Sequence, residues 1–182
     1  MIENKDNFFV EVLKFSLLTL LIVLPFRMFI AKPFIVNGAS MSPTFETGHY
    51  LIVDQVSYKI NEPERGDIIV FKYPNDQTRF FIKRIVGLPR ETIIIKNGEV
   101  TIKNDQFPDG FTLEEDYVKN IAHKNMSQTL SEDEYFVMGD NRANSSDSRT
   151  WGALEKNFII GKAFVRLFPI TQMDLFPGKF TY

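Results

Sequence analysis

One stretch near the N-terminus limits what this chain can become more than any other. Residues 15–26 read FSLLTLLIVLPF, with only Ser16 and Thr19 polar. Widened to residues 8–31, the segment gains Glu11, Lys14 and Arg27 near its ends, where long side chains reach toward an interface. A helix needs about 20 mostly apolar residues to cross a bilayer, and this stretch reaches that length. A buried helix and a cleavable leader are the alternative readings. A leader requires a small-x-small site after the apolar run, and Arg27 interrupts the place where that site belongs. The expectation is an uncleaved anchor within residues 1–31, followed by a single folded domain over residues 32–182. Charge does not orient it: Lys5 and Lys14 precede the span, while Arg27 and Lys32 follow it.

Beyond the anchor the apolar pattern has a period of two. FIVNG, YLIVDQV, GDIIVFKYP, RFFIKRIVG and EYFVMG are short runs rich in β-branched and aromatic residues, bounded by Gly, Pro or Asn. In ETIIIKNGEVTIKN the Asn97-Gly98 pair is a type I′ turn signal, which predicts a hairpin of residues 92–96 and 99–103. Residues 104–131 lose the alternation and read as a loop or insertion. NFIIGKAFVRLFPI returns to β. The fold class is therefore mainly β, an antiparallel domain behind one N-terminal transmembrane helix. A hydrophobic share of 44% excludes a disordered chain. A net charge of -2 gives no basic surface for nucleic acid, and the absence of cysteine rules out disulfides and thiolate metal sites.

Three segments carry candidate chemistry. NGASMSPTF places Ser40 between a flexible stretch and a proline turn; a serine hydroxyl is a weak nucleophile until a base takes its proton. The two histidines, His49 and His123, stand in no catalytic-looking context. RFFIKRIVG offers another base. In a strand, Phe81, Lys83 and Ile85 share one face, and Phe80, Ile82, Arg84 and Val86 the other. With one cation on each face, only one face is expected to be fully buried. If that face is the Lys83 one, the amine is desolvated and its pKa falls toward 8, making a competent base. Otherwise Lys83 is an exposed strand lysine. The third segment, GDNRANSSDSRTWG, is polar and turn-rich, yet Asp140, Arg142, Asp147 and Arg149 are paired signs able to brace it internally. No His or further carboxylate stands nearby to complete a metal site, so neither metal nor cofactor is expected.

SMSPT at 40–44, RGDIIVF at 65–71, FIKRIVGLP at 81–89 and GDNRANSSDSR at 139–149 resemble, in order, the successive boxes of bacterial type I signal peptidases. The resemblance runs from the anchor through Gly152, and NFIIGKAFVRLFP is similar to that family's closing strand. It implies a Ser–Lys dyad with Ser40 as nucleophile and Lys83 as general base. Ser145 then matches the hydroxyl that orients the lysine amine, and Asp147 and Arg149 the ion pair beneath it. Asp140 and Arg142 fall in the same box.

The same resemblance implies an extended substrate beside residues 34–38. Shallow apolar pockets near Phe34, Val36, Phe81 and Ile82 are expected to take small residues at positions -1 and -3, with Gly38 and Met41 as further substrate contacts. The expected activity is serine endopeptidase removal of signal peptides from exported preproteins at a membrane. Phe164, Phe168, Phe176 and Phe180 are expected to rest on the outer leaflet or to pack as core. Three departures stand out. Gly38 replaces a serine that helps bind the oxyanion in Gram-negative members, Ala143 replaces a commoner acidic residue, and GLPRE at 87–91 replaces G-x-P-G-D. The short chain with one anchor is similar to Gram-positive members, whose N-terminus is cytoplasmic and whose catalytic domain lies outside. Two rivals share some of these features. Self-cleaving repressors would need a DNA-binding segment where the apolar run stands, and a non-catalytic relative would be expected to lose Ser40 or Lys83.

Overall fold

The computed structural model describes residues 4–25, 31–180 and 182. A helix, α1 (Asn4–Pro25), occupies the expected anchor segment, and the Phe26 end of that expectation lies outside the described residues. Along α1 the apolar side chains of residues 8–21, from Phe8 and Leu13 to Phe15 and Leu21, are exposed. Among the described residues, no helix is long and apolar enough to cross a membrane.

The domain that follows is built on strands β1 (Ala31–Ile35), β2 (Tyr50–Asp54), β3 (Ile68–Tyr73), β4 (Asp76–Gly87), β5 (Thr92–Lys96), β6 (Glu99–Lys103), β7 (Phe111–Thr112), β8 (Met126–Thr129), β9 (Glu134–Met138), β10 (Leu154–Glu155), β11 (Ile159–Phe168) and β12 (Asp174–Leu175). The larger sheet runs β1-β2-β11-β3-β4-β9-β10, with β12 added to β11, and every described pairing in it is antiparallel. Four of the five runs singled out by their alternation contain a strand over most of their length, because β-branched and aromatic side chains suit a pleated, half-buried surface, whereas FIVNG at 34–38 gives only its first two residues to β1.

The hairpin follows its turn chemistry. Thr92 pairs with Lys103 and Lys96 with Glu99, across Asn97 at φ 52° and Gly98 at φ 91°. The stretch 104–131, expected as loop or insertion, carries β7 against β6 and β8 against β5, completing a four-stranded sheet. Its core is Val86, Ile93, Ile95, Val100, Ile102, Leu113, Leu130, Phe136 and Met138. A second core of Val36, Met41, Phe45, Leu51, Ile68 and Ala163 supports the Ser40 turn.

One expectation fails on β4. Lys83 and Arg84 point to opposite faces, yet both are buried, 4% and 1% exposed. The Arg84 face is buried as well because Asp140 neutralises the guanidinium there, with Nε and Nη2 donating to its two carboxylate oxygens at 2.9 and 2.7 Å. At GLPRE, Arg90 takes a left-handed φ of 67°. Buried Glu91 holds that turn by accepting from Leu88 N at 2.8 Å, Arg65 Nη2 at 2.6 Å and Asn104 Nδ2 at 2.9 Å.

Candidate active site

Ser40 sits in a turn whose bonds leave it little freedom. Phe45 N donates to Met41 O at 2.9 Å and Ser42 N to Ala39 O at 3.2 Å. Asn141 adds two bonds from the polar loop, its N to Ser40 O at 3.0 Å and its Nδ2 to Ala39 O at 3.0 Å. Below the turn, Met41 and Phe45 are fully buried, each adding on the order of 2–3 kcal/mol of apolar burial to its placement. Met41, expected as a substrate contact, thus has its side chain in the core and lines none of the described clefts.

Lys83 reaches the turn from β4. Its Nζ lies 2.6 Å from Ser40 Oγ and donates to Ile82 O at 2.8 Å, with the Phe81 ring 5.2 Å away. Burial lowers its pKa from 10.5 to about 8, although the Asp147 and Asp140 carboxylates pull the other way. Desolvation wins because charging an amine that has lost its water is costly, and neither carboxylate is hydrogen-bonded to it. The backbone carbonyl of Ile82 takes one N–H of the neutral amine, which leaves the lone pair available toward Ser40 Oγ.

The polar loop is tied differently from the internal bracing expected of it. Asp147 and Arg149 do pair within it, Arg149 Nε and Nη2 donating to the carboxylate at 2.8 and 2.7 Å. Burial raises the Asp147 pKa, but the Arg149 bonds outweigh it and hold the carboxyl below the usual range. Asp147 also accepts from Gly139 N at 3.0 Å and caps the short helix Ser148–Trp151. Asp140 and Arg142 pair outward instead. Asp140 takes Arg84 and also accepts from Thr44 Oγ1 at 2.5 Å, while Arg142 Nη1 and Nη2 bind Glu115 at 2.7 and 2.5 Å. Ser145 Oγ is buried with no hydrogen-bond partner among the described residues. It lies so close to Gly139 that a Cβ there would meet it at 2.3 Å, and Ser40 O at the same distance.

A cleft of about 90 Å³ is lined by Phe34, Val36, Leu51, Val70, Phe81 and Ile82 among others, with neither Ser40 nor Lys83 in its wall. Four of the expected pocket residues, Phe34, Val36, Phe81 and Ile82, therefore converge; Gly38 lies outside, exposed at φ 102° with its N–H donating to Thr47 Oγ1 at 3.0 Å. Phe80 closes one end, its ring 5.4 Å from Phe34. The histidines are elsewhere. His49 is buried against Phe45, its Nδ1 accepting from Glu46 N at 3.3 Å, and His123 is exposed. Of the late phenylalanines, Phe164, Phe168 and Phe176 are exposed, whereas Phe180 packs between Tyr117 and Tyr182.

A family profile described as signal peptidase, peptidase S26, matches residues 9–168. A probable signal peptidase I-1 of Synechocystis sp. is 38% identical, over 100% of this chain and 93% of its own length. A signal peptidase I P of Bacillus subtilis subsp. natto is 31% identical, over 94% and 95%. Among solved structures, a signal peptidase I from Enterococcus faecalis aligns with a TM-score of 0.47 at 30% identity, over 57% of this chain and 97% of that one.

Proposed function

The chain belongs to the signal peptidase family, peptidase S26, and removes signal peptides as a serine endopeptidase; we propose that it does so through a Ser40–Lys83 dyad, with no histidine in the reaction. The observation that carries this is the 2.6 Å approach of a buried amine, its pKa lowered to about 8, to the Ser40 hydroxyl.

Ser40 Oγ attacks the carbonyl carbon at the cleavage site as its proton passes to Lys83 Nζ. The tetrahedral intermediate collapses with the same proton given to the leaving amine. Water, deprotonated by Lys83, then releases the acyl group from Ser40. The Ser40 N–H is one oxyanion donor, since Asn141 already holds the carbonyls on either side of it. Ser145 acts as the neighbour that steadies the lysine amine as charge moves, its buried hydroxyl standing between Gly139 and the Asp147 carboxylate that it helps to stabilise. Asp147 and Arg149 shape the loop beneath it.

The substrate is the extended C-terminal part of a signal peptide, added to the free edge of β1, an outer strand of the sheet. We read the apolar cleft of about 90 Å³ as the seat of the small -1 and -3 side chains, its walls of Phe34, Val36, Phe81 and Ile82 suited to methyl groups. We read α1 as the membrane anchor of residues 1–31, with the tail cytoplasmic and residues 32–182 outside. What supports the reading is the run of exposed apolar side chains over residues 8–21, a surface that lipid would cover. Exposed Phe164, Phe168, Ile170, Leu175 and Phe176 form a second apolar contact for lipid.

Carbonate-washed membranes from cells making the protein test this reading. They are expected to cleave a preprotein with alanine at -3 and -1, and to leave one with leucine at -1 intact. Activity lost in the wash removes the anchor; equal cleavage of both substrates removes the pocket.

A further inference from the structure

The chain beyond β11 lies outside the matched family profile, which ends at residue 168, yet it grips the supports of both members of the dyad. We propose that residues 172–180 are a positioning element for catalysis, holding Thr44 on the Ser40 side and Arg84 on the Lys83 side; this rests on the dyad reading above.

Thr44 is four residues past Ser40 and is held three ways. Its hydroxyl donates to Asp140, and its carbonyl accepts from Arg166 Nη1 at 2.8 Å. Arg166 is itself set by the C-terminal segment, with Nε donating to Gln172 O at 2.6 Å and Nη2 3.9 Å from Asp174. The third hold is steric: a Cβ on Gly178 would lie 2.3 Å from Thr44 Cγ2 and 2.8 Å from Ile68 Cδ1, so the segment runs directly against the turn.

Arg84 follows Lys83 on β4. Its Nη1 donates to Gly178 O at 2.8 Å and Gly66 O at 3.0 Å, while the other nitrogens bind Asp140. A buried guanidinium needs an acceptor in each direction, and Gly178 supplies one. Phe180 passes so close to Gly66 that a Cβ there would meet its carbonyl oxygen at 2.4 Å. Its ring lies 5.0 Å from Tyr117, over which Arg84 stacks at 4.0 Å.

The route into this position is strained. Phe176 has a φ of 53° and Gly178 of 71°, and Pro177 between them is buried. A bulky left-handed residue persists only where its surroundings hold it, and here they bring the chain back beneath the site. Misplacement of reacting groups by about 1 Å costs on the order of 100-fold in rate, so modest loosening of Thr44 and Arg84 acts on turnover before it unfolds the domain.

Two full-length variants in detergent test this, Gly178→Ala, which wedges a methyl against Thr44, and Phe180→Ala, which adds no bulk and frees the segment from Tyr117. Cleavage of an Ala-X-Ala preprotein is measured per folded molecule, with the folded fraction taken from near-ultraviolet circular dichroism. The expected result is kcat at least ten-fold lower for Gly178→Ala and at least three-fold lower for Phe180→Ala, with KM within two-fold of wild type. Unchanged kcat in both, losses confined to KM, or losses matched by the unfolded fraction would overturn the proposal. A wild-type chain that leaves the preprotein uncut would overturn the functional reading and this one with it.

Discussion

A lysine in water keeps its proton to about pH 10.4, and Lys83 gives it up near 8 because burial removes the water that solvates the charge. That shift is also a statement about stability. Between pH 8 and 10.5 the unfolded chain binds a proton that the folded chain has released, so stability rises with pH through that window; below 8 the burial penalty is fully present. Lys83→Met removes the penalty. At pH 7 it is expected to stabilise the domain by about 2–3 kcal/mol, less whatever Ser40 loses with its partner, and to give no gain at pH 10.5. Urea unfolding of both proteins at the two pH values measures this, and a variant less stable than wild type at pH 7 would contradict it. At this scale residue type and order single out Ser40, Lys83, Asp147 and Arg149, and the structure brings Lys83 to Ser40 and Arg149 to Asp147. Asn141, Thr44 and Glu115 are not legible in the sequence, since a polar residue in a loop carries no local mark of the distant backbone or guanidinium that it binds. Met41 turns its side chain into the core although it follows Ser40 directly, because in a tight turn neighbouring side chains diverge.

The hairpin of β5 and β6 could be read from its turn because Asn97-Gly98 sets a two-residue connection without help from the rest of the fold. β4 could be read as a strand but not for its burial. Alternation says that Lys83 and Arg84 oppose each other; only tertiary structure brings Asp140 from 56 residues away to make the second face burial-compatible. Residues 104–131 hid their two strands because β7 and β8 span two and four residues, too short for a period to register. The GLPRE turn shows how a motif departure is absorbed. Glu91 still holds the turn, while Arg90 bears a left-handed backbone, offset only by an exposed pair with Glu132 at 2.7 Å. Arg90→Gly is expected to stabilise the domain by about 0.5–1 kcal/mol without altering cleavage, since the strain relieved exceeds what an exposed ion pair contributes. A thermal melt that falls instead would mean the Arg90 side chain matters more than its backbone.

Across the whole molecule, the apolar N-terminal helix, the β domain and the polar loop each have a local signature, so their order along the chain was legible. Their assembly was not: Lys83 Nζ meets Ser40 Oγ across 43 residues of sequence, and residues 172–180 pack on Thr44 and Arg84 from beyond the matched family profile. The two histidines lie in the same domain as the dyad and provide the natural control for its chemistry. His49 fills a buried place against Phe45, so its loss is expected to weaken the fold by about 1 kcal/mol without touching the reaction. Cleavage of an Ala-X-Ala preprotein from pH 6 to 10, by wild type, Lys83→Met and a His49→Ala, His123→Ala double variant, therefore tests the central claim most directly. The dyad predicts no turnover for Lys83→Met, near-wild-type turnover per folded molecule for the histidine-free enzyme, and a rate that rises through about pH 8 in both active proteins. A Lys83→Met enzyme that still cleaves, or a rate that rises near pH 6.5 and disappears with the histidines, would contradict it.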